Sequence, residues 1–186
     1  MATTSDVNVG TILRYNGELC IVTEWQHRTP GNLRAFYQGK MRNMKSGKNL
    51  ENRFRSGEEV DIARVEFKEM DYLYEENGSL ICMDPENFEQ VPVPKEYFGD
   101  GMQFMKEGDK VKVAFESDLP IIGEAPNFVT LAITYCEPGV KGDTATNTLK
   151  PATLETGAIV SVPLFVNEGE TIRVDTRTGS YMERVK

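Results

Sequence analysis

GAIVSVPLFVNEGETIRVD, residues 157–175, contains two apolar, alternating segments that are separated by a polar turn. Ala158–Val166 and Thr171–Asp175 each place apolar side chains at every second position, which is the period of a β-strand. Gly169 falls between the segments, where a turn needs a residue with backbone freedom. The stretch predicts two strands of a small barrel, with one sheet face buried and the other free.

The rest of the chain continues this pattern. Its short alternating segments are broken by turn residues every few positions, which is typical of small all-β barrels or sandwiches. Asn77-Gly78 predicts a hairpin turn. The one helical candidate is PKEYFGDGMQFM, residues 94–105, where Pro94 suits a first helical position while Gly99 and Gly101 interrupt the helix. The predicted strands lie in ELCIVTEW, RAFYQGKM, DYLYEENGSLICM, KVKVAFE, LPIIG, NFVTLAI, GAIVSVPLFV and TIRVDTRTG.

Charge divides the chain into three modules. Residues 1–65 carry a net charge of +3, residues 66–128 carry −10, and residues 129–186 carry −1, within a total of −8 over 186 residues. Such asymmetry between segments indicates separate domains. We therefore predict domains at 1–65, 66–128 and 129–186.

Several functional classes are disfavoured by composition. The three cysteines are far apart and each sits in an apolar stretch, so we expect buried, reduced thiols. His27 is the only histidine, which removes most metal sites and general-base schemes. We predict no cofactor, no metal and no enzymatic activity. A hydrolase that uses Asp71 or Glu86 has no supporting spacing. No apolar run reaches the roughly 18 residues of a membrane span, so we expect a cytoplasmic protein.

The segment from Gln26 to Arg55 is strongly basic in an otherwise acidic chain. It has eight Lys or Arg and one acid, Glu51, with Phe36 and Tyr37 interleaved. One interpretation is a solvated face that keeps a small barrel soluble. The other is a surface that contacts nucleic-acid phosphates, and for this role we single out Lys40, Arg42, Lys45, Lys48, Arg53 and Arg55.

A turn lies at the start of this basic segment. Pro30-Gly31 is the favoured central pair of a type II turn, since proline presets φ near −65° and glycine accepts a positive φ. Arg28 and Arg34 flank the turn, and Leu33 would be an unusual exposed residue. We expect a rigid, narrow, cationic hairpin that can enter a confined, negatively charged space. We expect His27 to be packed or solvent-facing at the strand end, and Trp25 to belong to the core or to support the tip rather than stack on bases.

The most specific motifs lie towards the C-terminus. They are Lys141–Ala145 (KGDTA), Lys150–Gly157 (KPATLETG), Val162–Gly169 (VPLFVNEG) and Val174–Tyr181 (VDTRTGSY). With these motifs, and with Pro30-Gly31 in an early hairpin, the chain resembles the bacterial translation elongation factor P family from end to end.

The resemblance implies a fold and a function. The fold is an SH3-like (KOW-like) barrel followed by two barrels of the oligonucleotide-binding (OB) type, in an L shape similar to transfer RNA. The function is binding to the ribosome between the peptidyl (P) and exit (E) sites, as a monomer, to promote peptide bonds at polyproline stalls. The resemblance also implies that the P-site tRNA, the messenger and, for the tip, a modifying enzyme are partners.

The resemblance assigns roles to individual residues. The hairpin Arg28, Thr29, Pro30, Gly31, Asn32, Leu33 and Arg34 would reach the CCA end of the P-site tRNA. Gly142, Asp143 and Thr144 would face the E-site codon of the messenger. Tyr181 and Arg184 would lie near tRNA or the small subunit.

The chain departs from the family pattern at position 32. The family usually has a modified lysine or arginine there, and Asn32 has neither an amine nor a guanidinium to modify. Asn32 could act unmodified through its amide, Arg34 could substitute for it, or the chain could be a divergent paralogue.

A stand-alone RNA-binding module is the competing function, although residues 129–186 have few aromatic side chains to stack on bases.

Overall fold

The computed structural model describes residues 1–139 and 148–185 and contains two compact units. The first unit combines Met1–Glu66 with Ala114–Ile122, and the second combines Phe67–Val113 with the residues from Gly123 onward. The described residues form sixteen strands and one 3-10 helix. The predicted all-β class is therefore confirmed.

The first unit contains the strands that build the basic hairpin. They are β1 (Ala2–Thr3), β2 (Ile12–Tyr15), β3 (Glu18–Arg28), β4 (Phe36–Asn43), β5 (Asn49–Arg55) and β6 (Glu59–Val60). Strands β2-β3-β4-β5 form an antiparallel sheet, and β1 pairs with β6. Its core is made by inward side chains at every second position, as the alternation in β3 and β4 requires. The buried members of that core are Val7, Leu13, Cys20, Val22, Met41 and Phe54.

Two further sheets follow. The first has the order β11-β10-β7-β8-β9, and the second has the order β14-β13-β12-β15-β16. Their strands are β7 (Glu66–Glu76), β8 (Ser79–Met83), β9 (Gln90–Pro94), β10 (Lys110–Glu116), β11 (Leu119–Glu124), β12 (Phe128–Cys136), β13 (Leu149–Leu154), β14 (Ile159–Pro163), β15 (Thr171–Asp175) and β16 (Ser180–Val185).

Two of the predicted turns are confirmed. Asn77 and Gly78 join β7 to β8 with φ values of 49° and 79°, the left-handed pair that a two-residue hairpin requires. Gly169, with φ 83°, lies between β14 and β15. In both places the turn residue supplies a conformation that larger side chains avoid.

The helical candidate at 94–105 is confirmed in position but forms a 3-10 helix, Lys95–Phe104. Gly99 breaks it with φ 55° and ψ −142°, as the glycines in this stretch predict. Pro94 is the last residue of β9 and the N-cap, which precedes the first helical position. Phe104 ends the helix and joins the core of the last sheet, among side chains such as Leu131, Ile133, Val162 and Ile172.

Candidate nucleic-acid interface

The hairpin β3–β4 carries the predicted tip. Arg28 pairs with Phe36 as the last residue pair of the ladder, and residues 29–35 form the loop beyond it. Arg28, Asn32, Leu33 and Arg34 are exposed, and Leu33 retains 77% of its accessible surface. The first unit therefore has an exposed loop at the expected place, flanked by Arg28 and Arg34.

The turn at the tip differs from the expected one. The amide of Leu33 donates to the carbonyl of Pro30 at 3.0 Å, so Gly31 and Asn32 are the central residues and Pro30 is the first. Gly31 lies outside the left-handed region. The expected type II turn centred on Pro30-Gly31 is thus wrong. The loop is longer than a tight hairpin connection, so the ladder does not fix the turn at Pro30-Gly31. The shift places Asn32 at the centre of the tip.

One face of the hairpin collects arginines near the tip. Arg28, Phe36 and Arg55 are cross-strand neighbours, and the next row contains Gln26, Gln38 and Arg53. The guanidinium of Arg53 lies 4.6 Å from the centroid of the Phe36 ring, and Arg28 Nη2 donates to Gln26 Oε1 at 2.8 Å. Stacking on Phe36 holds the Arg53 guanidinium in place, and a hydrogen bond within β3 does the same for Arg28. We call Arg28, Phe36, Arg53 and Arg55 the outer patch.

Lys40 lies one row further down the same face, between two acids. Its Nζ is 3.0 Å from Glu24 Oε1, and Glu51 is its cross-strand partner on β5. Glu51 also accepts a hydrogen bond from Gln38. Because the row of Glu24, Lys40 and Glu51 contains two carboxylates and one ammonium group, it offers no net positive charge to a phosphate.

The remaining predicted phosphate contacts lie at the other end of the hairpin. Lys45 and Lys48 are in the turn between β4 and β5, where Asn43 Oδ1 accepts the amides of Lys45 (2.9 Å) and Ser46 (2.8 Å). Arg42 pairs with Asn49 beside this turn. The length of β4 separates this turn from the outer patch by about 23 Å. The predicted set of six cations therefore divides into three groups: Arg53 and Arg55 near the tip, Lys40 among acids, and Arg42, Lys45 and Lys48 at the far end.

The opposite face of this sheet carries a series of ring contacts, which are edge-on or tilted at Phe54 and stacked from Trp25 through Tyr37 to His27. The Tyr15 and Phe54 centroids are 5.9 Å apart, Phe54 and Trp25 are 5.1 Å apart, Trp25 and Tyr37 are 5.5 Å apart, and Tyr37 and His27 are 4.6 Å apart. Trp25 Nε1 also donates to the carbonyl of Thr4 at 3.1 Å. We call Tyr15, Phe54, Trp25, Tyr37 and His27 the aromatic ladder. Trp25 packs against the core of the first unit, and His27 stacks on Tyr37 at the strand end while remaining exposed, which fits the roles expected for both; the part played by Tyr37 was not foreseen.

The C-terminal candidates lie in the last sheet. Tyr181 is half-buried and packs against the core that contains Phe104. Arg184 Nη1 is 3.0 Å from Glu170 Oε1 and lies 5.7 Å from the Phe165 ring centroid. A hydrogen bond from the Asn167 amide, with Arg184 nearby, lowers the pKa of Glu170. Gly142, Asp143 and Thr144 lie outside the described residues.

Among residues 1–139 and 148–185, no three His, Cys, Asp or Glu side chains cluster in a way that could hold a metal ion. No helix among the same residues is long and apolar enough to cross a membrane. Burial raises the pKa of the Cys82 thiol to about 11, and Cys20 and Cys136 are buried as well.

Three family models match this chain in succession. They are described as the elongation factor P KOW-like domain at residues 3–60, the elongation factor P OB domain at 65–122, and elongation factor P, C-terminal, at 129–184. The chain belongs to the elongation factor P family. Elongation factor P from Roseiflexus sp. (strain RS-1) is 49% identical over 187 residues and covers 100% of both chains. The Chloroflexus aggregans protein is 48% identical over 185 residues, with 98% of each chain covered.

Solved structures support the same fold at low identity. Translation initiation factor 5A from Methanococcus jannaschii has a TM-score of 0.50 at 14% identity, covering 67% of this chain and 94% of that one. An eIF-5A family protein from Naegleria fowleri has a TM-score of 0.53 at 13% identity, covering 66% and 96%. Membership of the elongation factor P family gives the chain a role in translation elongation and an interaction with the ribosome.

Proposed function

We propose that this elongation factor P family member binds the ribosome between the P and E sites and speeds peptide-bond formation at polyproline stalls. It would do so as a cytoplasmic monomer, by positioning the peptidyl-tRNA in the P site. The observation that carries the proposal is the exposed hairpin tip, with Asn32 at its centre and arginines on its outer face. Such a tip can reach into a narrow RNA-lined space without unfolding.

Positioning alone is sufficient for the proposed effect. Proline is a secondary amine within a ring, and it fits the geometry of peptide-bond formation poorly. Correct orientation of reacting groups can supply up to about 7–11 kcal/mol of a reaction barrier. Since each 1.4 kcal/mol changes a rate about tenfold, a few hydrogen bonds to the CCA end are enough.

Asn32 supplies the polar group at the tip in this proposal. Its amide offers two donors and one acceptor oxygen, which suits base edges and ribose hydroxyls. The turn presents this side chain at its centre, whereas Arg34 follows the turn. We therefore propose that Asn32 acts unmodified. Intact-mass measurement of the natively expressed protein, with peptide mapping across residues 28–40, tests this, and an added mass on Asn32 or Arg34 would contradict it.

The outer patch would anchor the acceptor end of the tRNA. Arginine guanidinium groups form paired hydrogen bonds with phosphate oxygens, and Arg28, Arg53 and Arg55 lie on one face. Gly142, Asp143 and Thr144 would contact the messenger, and Tyr181 with Arg184 would contact tRNA or the small subunit. These C-terminal contacts are proposed from the family resemblance alone.

A reconstituted translation assay tests the proposal. We would replace Pro30 and Gly31 together with serine, and separately make Asn32→Ala, and measure peptide-bond formation on a triproline template. Both variants should lower the rate at saturating factor by about tenfold or more, as misplacement of reacting groups does. The same variants should not alter a template without proline. Unchanged triproline rates in both variants would refute positional assistance by this tip.

The competing function is a stand-alone RNA-binding module. Two exposed aromatic side chains, Tyr135 on β12 at 59% and Phe165 in the connection after β14 at 60%, are the observation in its favour. Competition between unstructured RNA and ribosomes with an occupied P site separates the two functions. Preference for the ribosome complex supports the elongation factor role, and equal affinity supports the RNA-binding module.

A further inference from the structure

The aromatic ladder links the core of the first unit to the base of the tip. Phe54, which is buried, contacts Trp25, and the rings of Tyr37 and His27 follow towards the loop. His27 and Tyr37 are cross-strand partners, and the next pair, Arg28 with Phe36, is the last of the strand ladder. Each ring in the series therefore rests on another ring that is nearer the core.

The loop itself has little to fix its direction. Within the loop, the Leu33 amide donates a hydrogen bond to the Pro30 carbonyl. The Ala35 carbonyl accepts a hydrogen bond from the amide of Ser56 at 3.4 Å. Most side chains between Thr29 and Arg34 are exposed. The direction of the tip must therefore be set largely by the strand ends from which the loop leaves.

His27 and Tyr37 are the last ring pair before the loop. Their rings are stacked, with 4.6 Å between centroids and 29° between planes. Trp25 also stacks on Tyr37, with 22° between the two ring planes. Stacked rings resist both the sliding and the splaying of two strands, because each movement loses ring contact. A hairpin held this way is stiff up to its last pair.

We propose that His27 and Tyr37 are positioning residues, whose stacked rings aim the Pro30–Leu33 turn and so set the rate that the bound factor can support. Neither side chain needs to touch RNA in this role, because both act through the strands. This inference rests on the proposed function for its effect on rate, but stiffening of the hairpin can be measured without it.

The test compares stacking with non-stacking replacements. His27→Phe and Tyr37→Phe keep a ring, His27→Ala and Tyr37→Ala remove it, and Tyr74→Ala, in the second unit, is the control for loss of an exposed aromatic side chain. Hydrogen exchange at the Leu33 amide measures the stability of the tip turn. Emission from Trp25, the only tryptophan, reports whether the rest of the ladder has moved.

Two results are expected together. Exchange at Leu33 should rise about three- to tenfold in both alanine variants and stay within twofold of wild type in the phenylalanine variants. On the triproline template, the alanine variants should lower the rate at saturating factor about tenfold and leave the half-saturating concentration within twofold. Tyr74→Ala should change neither quantity.

Other outcomes overturn the inference. If His27→Phe loses as much activity as His27→Ala, the imidazole itself must contact RNA. If the alanine variants change only the half-saturating concentration of the factor, His27 and Tyr37 contribute to ribosome binding and not to positioning. Unchanged Leu33 exchange in both alanine variants would refute stiffening. If the wild-type protein does not speed triproline synthesis, the proposed function fails. Leu33 exchange alone then tests whether the ring pair stiffens the hairpin.

Discussion

The indole of Trp25 occupies the space that a side chain at position 39 would need. An ideal Cβ built on Gly39 would lie 2.3 Å from Trp25 Cζ3 and 2.6 Å from Cε3. The two residues are cross-strand partners on β3 and β4. The absence of a Cβ at Gly39 lets the ring lie flat across the neighbouring strand, an arrangement that also strengthens strand pairing at glycine.

Gly39→Ala should therefore destabilise the first unit, although alanine suits most strands better than glycine does. The added methyl group must displace the Trp25 ring, and overpacking of this kind costs about 1–3 kcal/mol in free energy of unfolding. Urea unfolding monitored by Trp25 fluorescence measures the loss. Gly31→Ala is the matched control, since nothing lies within 4 Å of its ideal Cβ and its φ is compatible with alanine. Equal stability of the two variants would contradict the packing described.

Phe104 should be a principal contributor to the stability of the second unit. It ends the 3-10 helix and is 2% exposed within the core of the last sheet. Phe104→Ala leaves a cavity of ring size, and such changes cost about 3–5 kcal/mol. Phe88→Ala removes a ring that is 69% exposed and should cost far less. Thermal unfolding of both variants makes the comparison, and similar losses would be inconsistent with a buried role for Phe104.

The cysteines should be unreactive until the protein unfolds. All three thiols are buried, and the pKa of Cys82 is raised to about 11 because burial disfavours the thiolate. At pH 8 we expect a thiol reagent to modify native protein no faster than the protein opens, and to modify all three cysteines at once in denaturant. Fast modification of any cysteine under native conditions would show that its site opens locally.

Stability of the second unit should depend on pH through Glu155. Its Oε1 accepts the Ala132 amide at 3.0 Å and lies 3.1 Å from Lys106 Nζ, and these contacts lower its pKa from the ordinary value of 4.5. A lowered pKa in the folded state means that the stabilisation is complete above pH 4.5. It is lost as the pH falls through the folded value.

Glu155→Gln tests this dependence. The variant should be less stable than wild type at pH 7, and the difference should shrink steadily below pH 4.5. Glu168→Gln, at an exposed position, controls for the loss of one negative charge. Urea unfolding at several pH values gives the result, and a difference that stays constant with pH would exclude the carboxylate as its source.

The sequence was informative wherever a local rule determines structure. Strand alternation, the Asn77-Gly78 turn and the Gly169 turn depend on residues close together in the chain, and all were predictable. The place of the tip turn was not, because the loop around Pro30 is long enough to allow several turns. The division of the basic segment depends on strand register, which brings Glu24 and Glu51 to Lys40 and carries Lys45 and Lys48 away from the tip. The fit of Trp25 over Gly39 likewise needs the register to be known.

The salt dependence of ribosome binding should reveal which cations contact phosphate. Each phosphate neutralised adds about 0.7–0.9 to the slope of log affinity against log salt. Arg53→Gln and Arg55→Gln should each lower that slope by about this amount, because both side chains lie in the outer patch. Lys40→Gln should change it much less, since Glu24 lies 3.0 Å from its ammonium group.

The double variant Lys45→Gln/Lys48→Gln tests the turn between β4 and β5 separately. A slope that falls only in the double variant would place the RNA contact at that turn, and a slope unchanged in every variant would leave the basic segment as solvated surface.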